Sequence, residues 1–303
     1  MSIRWLQRGL LLPAPLTPAW ASSHAALPHA HPLEDGRIRL FFSSRDERGR
    51  SHIGRADVDL ASAGGAPRAF DEALLSPGPL GAFDDSGVTT SCLARDGSRQ
   101  LLYYTGWSQG VTVPFYLYVG CAVSEDGEAF ERVSTAPILE RNEVDPYVTA
   151  SPWVLVDGGR WRMWYVSGTG WELVDGKPRH RYHIRYAESR DGIAWDRRGV
   201  VCIDFADASE YAFSRPCVVK DEDVYRMWFS ARGSTYRIGY AESDDGVQWQ
   251  RKDEEAGIAS SGDWDSEMQA YPAVVDVAGQ RHLLYNGNDY GRTGIGWAVA
   301  SDS

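Results

Sequence analysis

Apolar and polar residues alternate with a period of two along most of this chain, in short runs that turn residues separate. Residues Trp161–Val166 and Tyr225–Ser230 are examples, and each is followed by a second alternating run. Such alternation predicts half-buried β-strands, and an Asp-Gly step between two runs predicts a tight hairpin because Gly adopts a positive φ at little cost. The pattern therefore predicts an all-β protein built from hairpins.

One segment occurs three times with nearly the same sequence, at Ala122–Arg132, Ala187–Arg197 and Ala241–Arg251. A repeat spaced by about 55 to 65 residues indicates a repeat architecture. An apolar run precedes each hairpin pair and adds a fourth strand. Weaker copies, aligned on that first strand, begin at His31-Pro32, Ser91-Cys92 and Tyr271-Pro272. We therefore expect a five-bladed β-propeller with four-stranded antiparallel blades.

The two ends of the chain complement each other. The last unit stops at Ser303 without its final strand, and Ile3–Gly9 resembles Ile193–Gly199, which is that strand in another unit. We expect the N-terminal strand to complete the last blade and close the ring, leaving no open sheet edge. A β-sandwich would explain the hairpins but not the complementary ends. Residues 1–303 are expected to form a single domain, because no linker divides them.

Charge and cysteine content narrow the classes of partner. The formal net charge of −11 at pH 7 argues against nucleic acid or an anionic membrane, since both need a basic surface. The four Cys residues lack metal-type spacing and are expected as free thiols. Residues 9–21 resemble a signal peptide, but Pro residues interrupt them and the ring needs this segment, so we expect a cytoplasmic protein. The oligomeric state stays open.

Acidic residues are expected around one mouth of the channel. Side chains of a propeller's inner strand alternate, so we take the residue before the Pro or Cys as facing the axis. Residues of the same parity nearer the mouth include Asp85, Asp145, Asp265 and Glu267. Crowded carboxylates separate their pKa values, so that one donates and another accepts a proton, as glycosidic cleavage requires. These four are the candidate catalytic residues; the alternative is that loop Asp residues cap turns.

Aromatic, basic and amide side chains share this predicted mouth. Trp107 and Trp171 lie beside glycines, where an indole could stack on a sugar. Arg215 needs an acid or an anionic substrate group as partner, because an unpaired buried cation is costly. His29 and His31 could contact substrate or ligate an axial metal ion, and no other cofactor is expected. The predicted substrate-binding residues are His29, His31, Trp107, Tyr147, Trp171, Tyr211, Arg215, Arg232, Gln269, Tyr271 and Asn288.

The Ala-Glu-Ser-x-Asp-Gly-x-x-Trp-x-Arg repeats and the Tyr-Arg-Met-Trp strands resemble the five-bladed propeller glycosidases of glycoside hydrolase families 32, 43, 62, 68 and 130. In families 32 and 43 an Asp-Pro on the first inner strand supplies the nucleophile or base. The matching positions here read His31-Pro32 and Ser151-Pro152, so the usual catalytic set does not carry over.

The resemblance implies a carbohydrate-active enzyme with a small sugar substrate. We expect hydrolase-like cleavage of a glycoside or activated sugar, with Glu267 as proton donor and Asp145 as base. One alternative is a phosphorylase, lyase or transferase acting on a sugar or natural-product intermediate in the same pocket. The other is a propeller that binds carbohydrate without catalysis.

Overall fold

The computed structural model describes residues 3–61, 67, 69–260 and 262–301, and these are nearly all β. The described strands are β1 (Arg4–Pro13), β2 (Ser23–Pro32), β3 (Ile38–Arg45), β4 (Ser51–Val58), β5 (Gly87–Asp96), β6 (Arg99–Gln109), β7 (Phe115–Ser124), β8 (Glu131–Arg132), β9 (Thr149–Asp157), β10 (Arg160–Val174), β11 (Lys177–Ser189), β12 (Trp195–Ile203), β13 (Ala212–Asp221), β14 (Val224–Arg232), β15 (Tyr236–Ser243), β16 (Gln250–Arg251), β17 (Ala270–Val277), β18 (Gln280–Asn286) and β19 (Gly294–Ser301). Short helical turns are found at Ala19–Ala21, Asp253–Glu255 and Asn288–Gly291.

The strands form three hydrogen-bonded sheets, and we divide two of these at the parallel bridges Ser51↔Gly87 and Tyr182↔Ala212 into antiparallel sets, here called units 1 to 5. Unit 1 contains β2 to β4, unit 2 β5 to β8, unit 3 β9 to β12 and unit 4 β13 to β16. Unit 5 contains β17 to β19 together with β1, which pairs with β19 from Arg4↔Ser301 to Pro13↔Gly294. The N-terminal strand therefore completes the last unit, and Trp5 is buried against the Trp228 ring at 6.0 Å.

The three near-identical segments form the same loop between the third and fourth strands. The side chain of Asp126 accepts hydrogen bonds from the backbone N–H groups of Glu128 and Ala129. Asp191 and Asp245 likewise accept from the N–H groups two and three residues after them in the chain. The Gly that follows each Asp has φ between 74° and 77°. Five or six residues separate the strands, so the loop is an Asp-capped turn rather than a two-residue hairpin.

The first strands of the five units contact one another in the cyclic order β2, β5, β9, β13, β17 and back to β2. Hydrogen bonds also join neighbouring units. Ser230 Oγ accepts the N–H of Tyr271, Thr105 Oγ1 that of Ser151, and Asn286 Oδ1 that of Leu27, each at 2.8 Å. The last of these bonds joins unit 5 to unit 1.

Aromatic side chains fill the space between units. Trp164 and Trp228 have no exposed surface and occupy equivalent places in β10 and β14. Trp164 lies edge-on to Trp249 at 6.1 Å and donates its Nε1–H to the carbonyl oxygen of Gly246. Burial of such rings supplies much of the driving force for folding.

The four Cys side chains are free and buried. Within the described part of the chain, no helix has the length and apolarity needed to cross a membrane.

Candidate functional site

A cavity of about 270 Å³ opens where the first strands begin, and we call it the mouth pocket. Its wall combines aromatic rings, hydroxyls and two basic side chains: His24, Ala26, Leu27, Ser43, Ser44, Arg45, Ser51, Thr89, Trp107, Tyr271 and Tyr290. Trp107 and Tyr271 were predicted as ligand-binding residues, and both are here. The Trp107 ring is fixed because its Nε1–H donates to Ser51 Oγ at 2.8 Å.

His24 and Arg45 make one side of the mouth pocket basic. Burial, and then the positive charges of Arg45 and Arg292, lower the pKa of His24 below its usual value. The backbone of His24 is held by Ser44, whose Oγ donates to the His24 carbonyl at 2.7 Å, and its Nδ1 lies 3.0 Å from Ser23 Oγ. The imidazole is therefore neutral at pH 7, positioned and available to accept a proton.

A second depression of about 680 Å³, here called the side groove, adjoins the mouth pocket and shares Trp107 with it. Asp85 lines this groove beside Ser86 and Gln109. Its carboxylate accepts the Ser86 hydroxyl at 2.9 Å and the backbone N–H of Gly81 at 3.0 Å, and it stays partly exposed. Of the four acids predicted from the sequence, Asp85 is therefore accessible and close to a predicted aromatic platform.

Asp145 has no exposed surface and is part of a hydrogen-bonded network within unit 3. Its oxygens accept from Tyr165 at 3.0 Å, Ser167 at 2.7 Å, and Arg185 and Arg197 at 3.1 Å each. Every lone-pair direction is thus occupied by a donor from this unit. This environment favours a structural role over the predicted role of catalytic base.

Two further units contain the same buried acid. Asp84 accepts from Tyr104 and Arg132, and Asp265 accepts from Tyr285 at 2.9 Å and from Gln7 and Gln269 at 3.2 Å. In units 2 and 3 one donor comes from the arginine that ends the repeated segment, Arg132 or Arg197. In unit 5 the equivalent donor is Gln7 on β1. In unit 2 the equivalent acid is Asp84 rather than the predicted Asp85, which leaves Asp85 free of this network.

Arg215 extends from unit 4 to units 1 and 2 and is fully buried. Its guanidinium donates to the carbonyl oxygens of Thr90 and Leu27 at 3.2 Å each, and also to those of Ser91 and Pro28. Burial lowers the pKa of Arg215 to about 10, so it stays charged at pH 7. The partners of this cation are backbone carbonyls of units 1 and 2 and not, as the sequence predicted, an acid or a substrate anion.

The predicted alignment of His31-Pro32 with the other units is wrong. The ladder between β2 and β3 shifts register between Ala26 and His29. The ladder of β13 with β14 shifts in the same way around Arg215, and that of β17 with β18 around Tyr271. Leu27 also shares the positive φ of Ser151, Arg215 and Tyr271. Leu27-Pro28 is therefore the first-unit counterpart of the residues before those prolines.

This shift of four residues moves the histidines away from the mouth. His29 is buried beside the Trp153 ring at 5.3 Å, and its Nε2 accepts the backbone N–H of Leu93 at 3.1 Å. His31 is near Arg39 and Arg95 at the other end of β2, and burial lowers its pKa to about 4. Among the described residues no group of three or more His, Cys, Asp or Glu is arranged to hold a metal ion.

Arg232, Tyr211 and Trp171 lie in a cluster of rings beside the mouth pocket. The Arg232 guanidinium carbon is 5.1 to 5.7 Å from the ring centroids of Tyr211, Tyr236 and Tyr290. Trp171 packs edge-on against Phe115 at 5.3 Å and His180 at 5.9 Å. Burial lowers the pKa of His180 to about 4. The structure therefore brings these three predicted residues close to one another.

Three of the remaining predicted residues lie on or beside the loop before β17, and Tyr147 lies on the loop before β9. Asn288 Oδ1 accepts the N–H groups of Glu267 and Met268 at 2.9 and 3.0 Å, so Asn288 shapes this loop. Gln269 is buried and donates to Asp265 and to the Ala259 carbonyl. Glu267 is exposed, and Tyr147 is 40% exposed. Glu267 and Tyr147 thus have surface to offer a ligand, while Asn288 and Gln269 are occupied by protein groups.

Sequence reasoning missed His24, Arg45 and Tyr290. His24 was hidden by the register of unit 1, because aligning Pro28 instead of Pro32 with the other prolines places the residues before Ala26 at the mouth. Arg45 ends β3, the second strand of unit 1, next to Ser43 and Ser44 of the same pocket. Tyr290 follows Asp289 in a turn where both have positive φ, on the same short loop as the predicted Asn288, but was not itself among the predicted residues.

Comparison with known proteins places the chain beside two proteins of Mycobacterium tuberculosis. It is 49% identical over 282 residues to the uncharacterized protein MT1551 of strain CDC 1551 / Oshkosh, covering 92% of this chain and 93% of that protein. It is 48% identical, with the same coverage, to the uncharacterized protein Rv1502 of strain ATCC 25618 / H37Rv. No family model matches the chain.

Several solved structures with similar folds are described as glycoside hydrolases. One described as "Glycoside hydrolase" has a TM-score of 0.76 at 18% identity, over 100% of this chain and 93% of its own. A thermostable family-43 glycoside hydrolase has a TM-score of 0.65 at 15% identity, over 96% and 91%. A structure reported for the GH130 family of mannoside phosphorylases has 0.67 at 16%, over 94% and 88%. The resemblance predicted from the repeats is therefore confirmed for the fold.

Proposed function

We propose, from the premise that this chain belongs to the same protein family as Rv1502 of Mycobacterium tuberculosis, that it is a five-bladed β-propeller enzyme acting on a small sugar in the mouth pocket. The cyclic contacts of the first strands and the pairing of β1 with β19 support five blades in a closed ring. The fold shared with glycoside hydrolases supports a carbohydrate-active enzyme. Because a fold does not fix a reaction, the chemistry is argued from the pocket.

The composition of the mouth pocket is the observation that carries this proposal. A rigid indole beside Ser43, Ser51 and Thr89 offers an apolar face together with hydroxyl groups, which matches the two kinds of surface on a sugar ring. The volume of about 270 Å³ is close to the lower end of the range of about 300–1,000 Å³ for ligand pockets. The pocket therefore suits one sugar unit rather than an oligosaccharide.

His24 is the group in this pocket best suited to proton transfer. Its lowered pKa keeps the imidazole neutral at pH 7, so it can accept a proton from a sugar hydroxyl or from water. Arg45, on the same wall, can stabilise negative charge that develops on the oxygen. We infer acid/base chemistry on the sugar with His24 as proton acceptor, which favours a reaction other than cleavage by two carboxylates.

Hydrolysis by two carboxylates is the second candidate, and the exposure of Asp85 and Glu267 favours these residues for it. Asp85 is separated from the mouth pocket by the shared Trp107 side chain, and Glu267 is exposed on the loop that Asn288 shapes. In this scheme Glu267 donates the proton, as the sequence predicted, and Asp85 takes the role first given to Asp145. Asp145 and Asp265 remain structural.

Turnover of aryl glycosides, measured with and without phosphate, separates the two candidates. Under the second, the wild type turns them over and Asp85→Asn abolishes this. Under the first, any turnover is lost in His24→Gln and kept in Asp85→Asn, and a wild type that binds sugar without cleaving aryl glycosides also favours the first. Arg190→Gln on the opposite face serves as a control with an altered charge. Titration of neutral monosaccharides, followed by Trp fluorescence, tests binding directly. Trp107→Ala should weaken it. Wild-type protein that binds no sugar and turns over no glycoside would contradict both candidates.

A further inference from the structure

Arg232 is a half-buried cation with an unusual set of neighbours. It ends β14, and its guanidinium carbon lies 5.4 Å from the Tyr211 ring centroid, 5.1 Å from that of Tyr236 and 5.7 Å from that of Tyr290. It also interacts with the Tyr236 hydroxyl. Its Nε atom is buried without a hydrogen-bond partner, and no carboxylate of the described residues forms an ion pair with it. We call this group the Arg232 cluster.

Other half-buried arginines of this chain are neutralised differently. Arg251 also lies over two aromatic rings, those of Phe213 and Phe229, yet it forms ion pairs with Glu210 and Asp253. Arg281 forms ion pairs with two carboxylates in the same way. Ring faces attract a guanidinium from above, but its N–H groups point outward in the plane and need oxygen acceptors. Arg232 therefore lacks the anionic partner that equally buried arginines have.

The Arg232 cluster is continuous with the mouth pocket. Tyr290 lines the pocket and also lies over Arg232, while Tyr271 lines the pocket and is 6.0 Å from Tyr236 and 6.5 Å from Tyr290 between ring centroids. The Tyr290 ring thus borders both a sugar held in the pocket and the guanidinium. A substituent on that sugar would extend over the rings towards Arg232.

We propose that the Arg232 cluster is an anion-binding subsite, and that the substrate is an acidic sugar whose phosphate or carboxylate group binds there. Phosphate and carboxylate share the paired oxygens that a guanidinium fork binds with two parallel hydrogen bonds. The hydroxyls of the three tyrosines can donate further hydrogen bonds to the same oxygens. That the ligand is a sugar rests on the proposed function. Binding of the anion does not, because the Arg232 cluster would bind an anion that carries no sugar.

Calorimetric titration of the full-length protein with four probes tests the subsite. The probes are D-glucose 6-phosphate, D-glucuronate, D-glucose and inorganic phosphate, each measured at low and at high salt. We expect at least one acidic probe to bind more tightly than D-glucose. Arg232→Gln should weaken binding of that acidic probe by about tenfold or more, which corresponds to the loss of at least one charge-assisted hydrogen bond, and should leave the affinity for D-glucose unchanged. Arg190→Gln, which removes an exposed arginine on the opposite face, should change nothing.

Arg232→Lys keeps the charge without the planar fork and should give an intermediate affinity, so it serves as the test if the Gln variant does not fold. A preference confined to D-glucose 6-phosphate or to D-glucuronate identifies which anion is bound. The subsite proposal would be overturned if acidic and neutral probes bound with equal affinity, or if the acidic probes bound both variants with the affinity of the wild type. Neither result would contradict the sugar pocket. Phosphate binding that depends on Arg232 without any sugar binding would keep the subsite and contradict the proposed function.

Discussion

Asp145→Asn is the substitution that best separates a structural acid from a catalytic one. The change keeps the size of the side chain but removes the charge and converts one acceptor into a donor. In the native protein both carboxylate oxygens are occupied, by Tyr165 and Ser167 from the neighbouring strand and by Arg185 and Arg197. A catalytic base would lose rate without losing stability, whereas a structural acid would lose stability.

The magnitude follows from the burial of the partners. The side chains of Arg197 and Arg185 are only 7% and 17% exposed, so water cannot replace the lost carboxylate around them. Removing one partner of a buried ion pair costs about 3–5 kcal/mol, which is a large part of a typical free energy of unfolding of about 5–15 kcal/mol. Asp84→Asn should cost less, about 1.5–3 kcal/mol, because Asp84 has one cationic partner, Arg132, which is 24% exposed.

Urea unfolding followed by Trp fluorescence measures these differences in the free energy of unfolding. Glu267→Gln is the matched control, since Glu267 is exposed and should change stability by less than about 0.5 kcal/mol. The expected order of destabilisation is Asp145→Asn, then Asp84→Asn, then Glu267→Gln. An Asp145→Asn protein within about 1 kcal/mol of the wild type, with its turnover lost, would refute the structural interpretation and restore Asp145 as the base.

Three further perturbations test other parts of the structure. Arg215→Met should lower the free energy of unfolding in urea by about 3 kcal/mol or more, because each of four backbone carbonyl oxygens loses a charged donor and an unsatisfied buried acceptor costs about 1–3 kcal/mol. An unchanged midpoint would mean that Arg215 does not hold units 1, 2 and 4 together. Burial lowers the pKa of His180 to about 4 in the folded protein. As the pH falls below 6.5, His180 is therefore protonated in the unfolded chain before it is protonated in the folded protein, and the free energy of unfolding decreases between pH 6.5 and pH 4. His180→Phe should lose less stability over that window than the wild type, and equal losses would contradict the assignment. If His24 is the proton acceptor, turnover should fall on acidification with a midpoint below pH 6.5, and a midpoint above 6.5 would exclude it.

Local patterns were sufficient for the strands and for most of their order. Alternation places residues Trp161–Val166 on β10, and the repeated Asp-Gly step forms the loop in which the Asp caps its own turn. The likeness between Ile3–Gly9 and Ile193–Gly199 correctly indicated that the N-terminal strand pairs with the last one. These features depend on neighbours in the sequence, or on a repeat that is visible within it.

The position of each residue along the first strand could not be predicted in unit 1. The chain offers both Pro28 and Pro32 as the site of the irregularity, and because these lie four residues apart, the choice moves every residue along the strand relative to the mouth while leaving its parity unchanged. Choosing Pro32 put His31 at the mouth and left His24 unnoticed. The correct choice requires the ladder between β2 and β3, which is a property of two strands together.

An all-β chain of repeated units, a terminal strand that completes the last unit, and the residue types available for sugar chemistry all follow from the amino-acid sequence alone. How each of those residues is used depends on the packing of the folded chain. Asp145 and Asp85 look alike in the sequence, yet one is enclosed by two arginines and the other faces a groove. The reason is physical: the free energy and reactivity of a charged group depend on its solvation and on nearby charges, and the two arginines that enclose Asp145 lie 40 and 52 residues away from it in the chain.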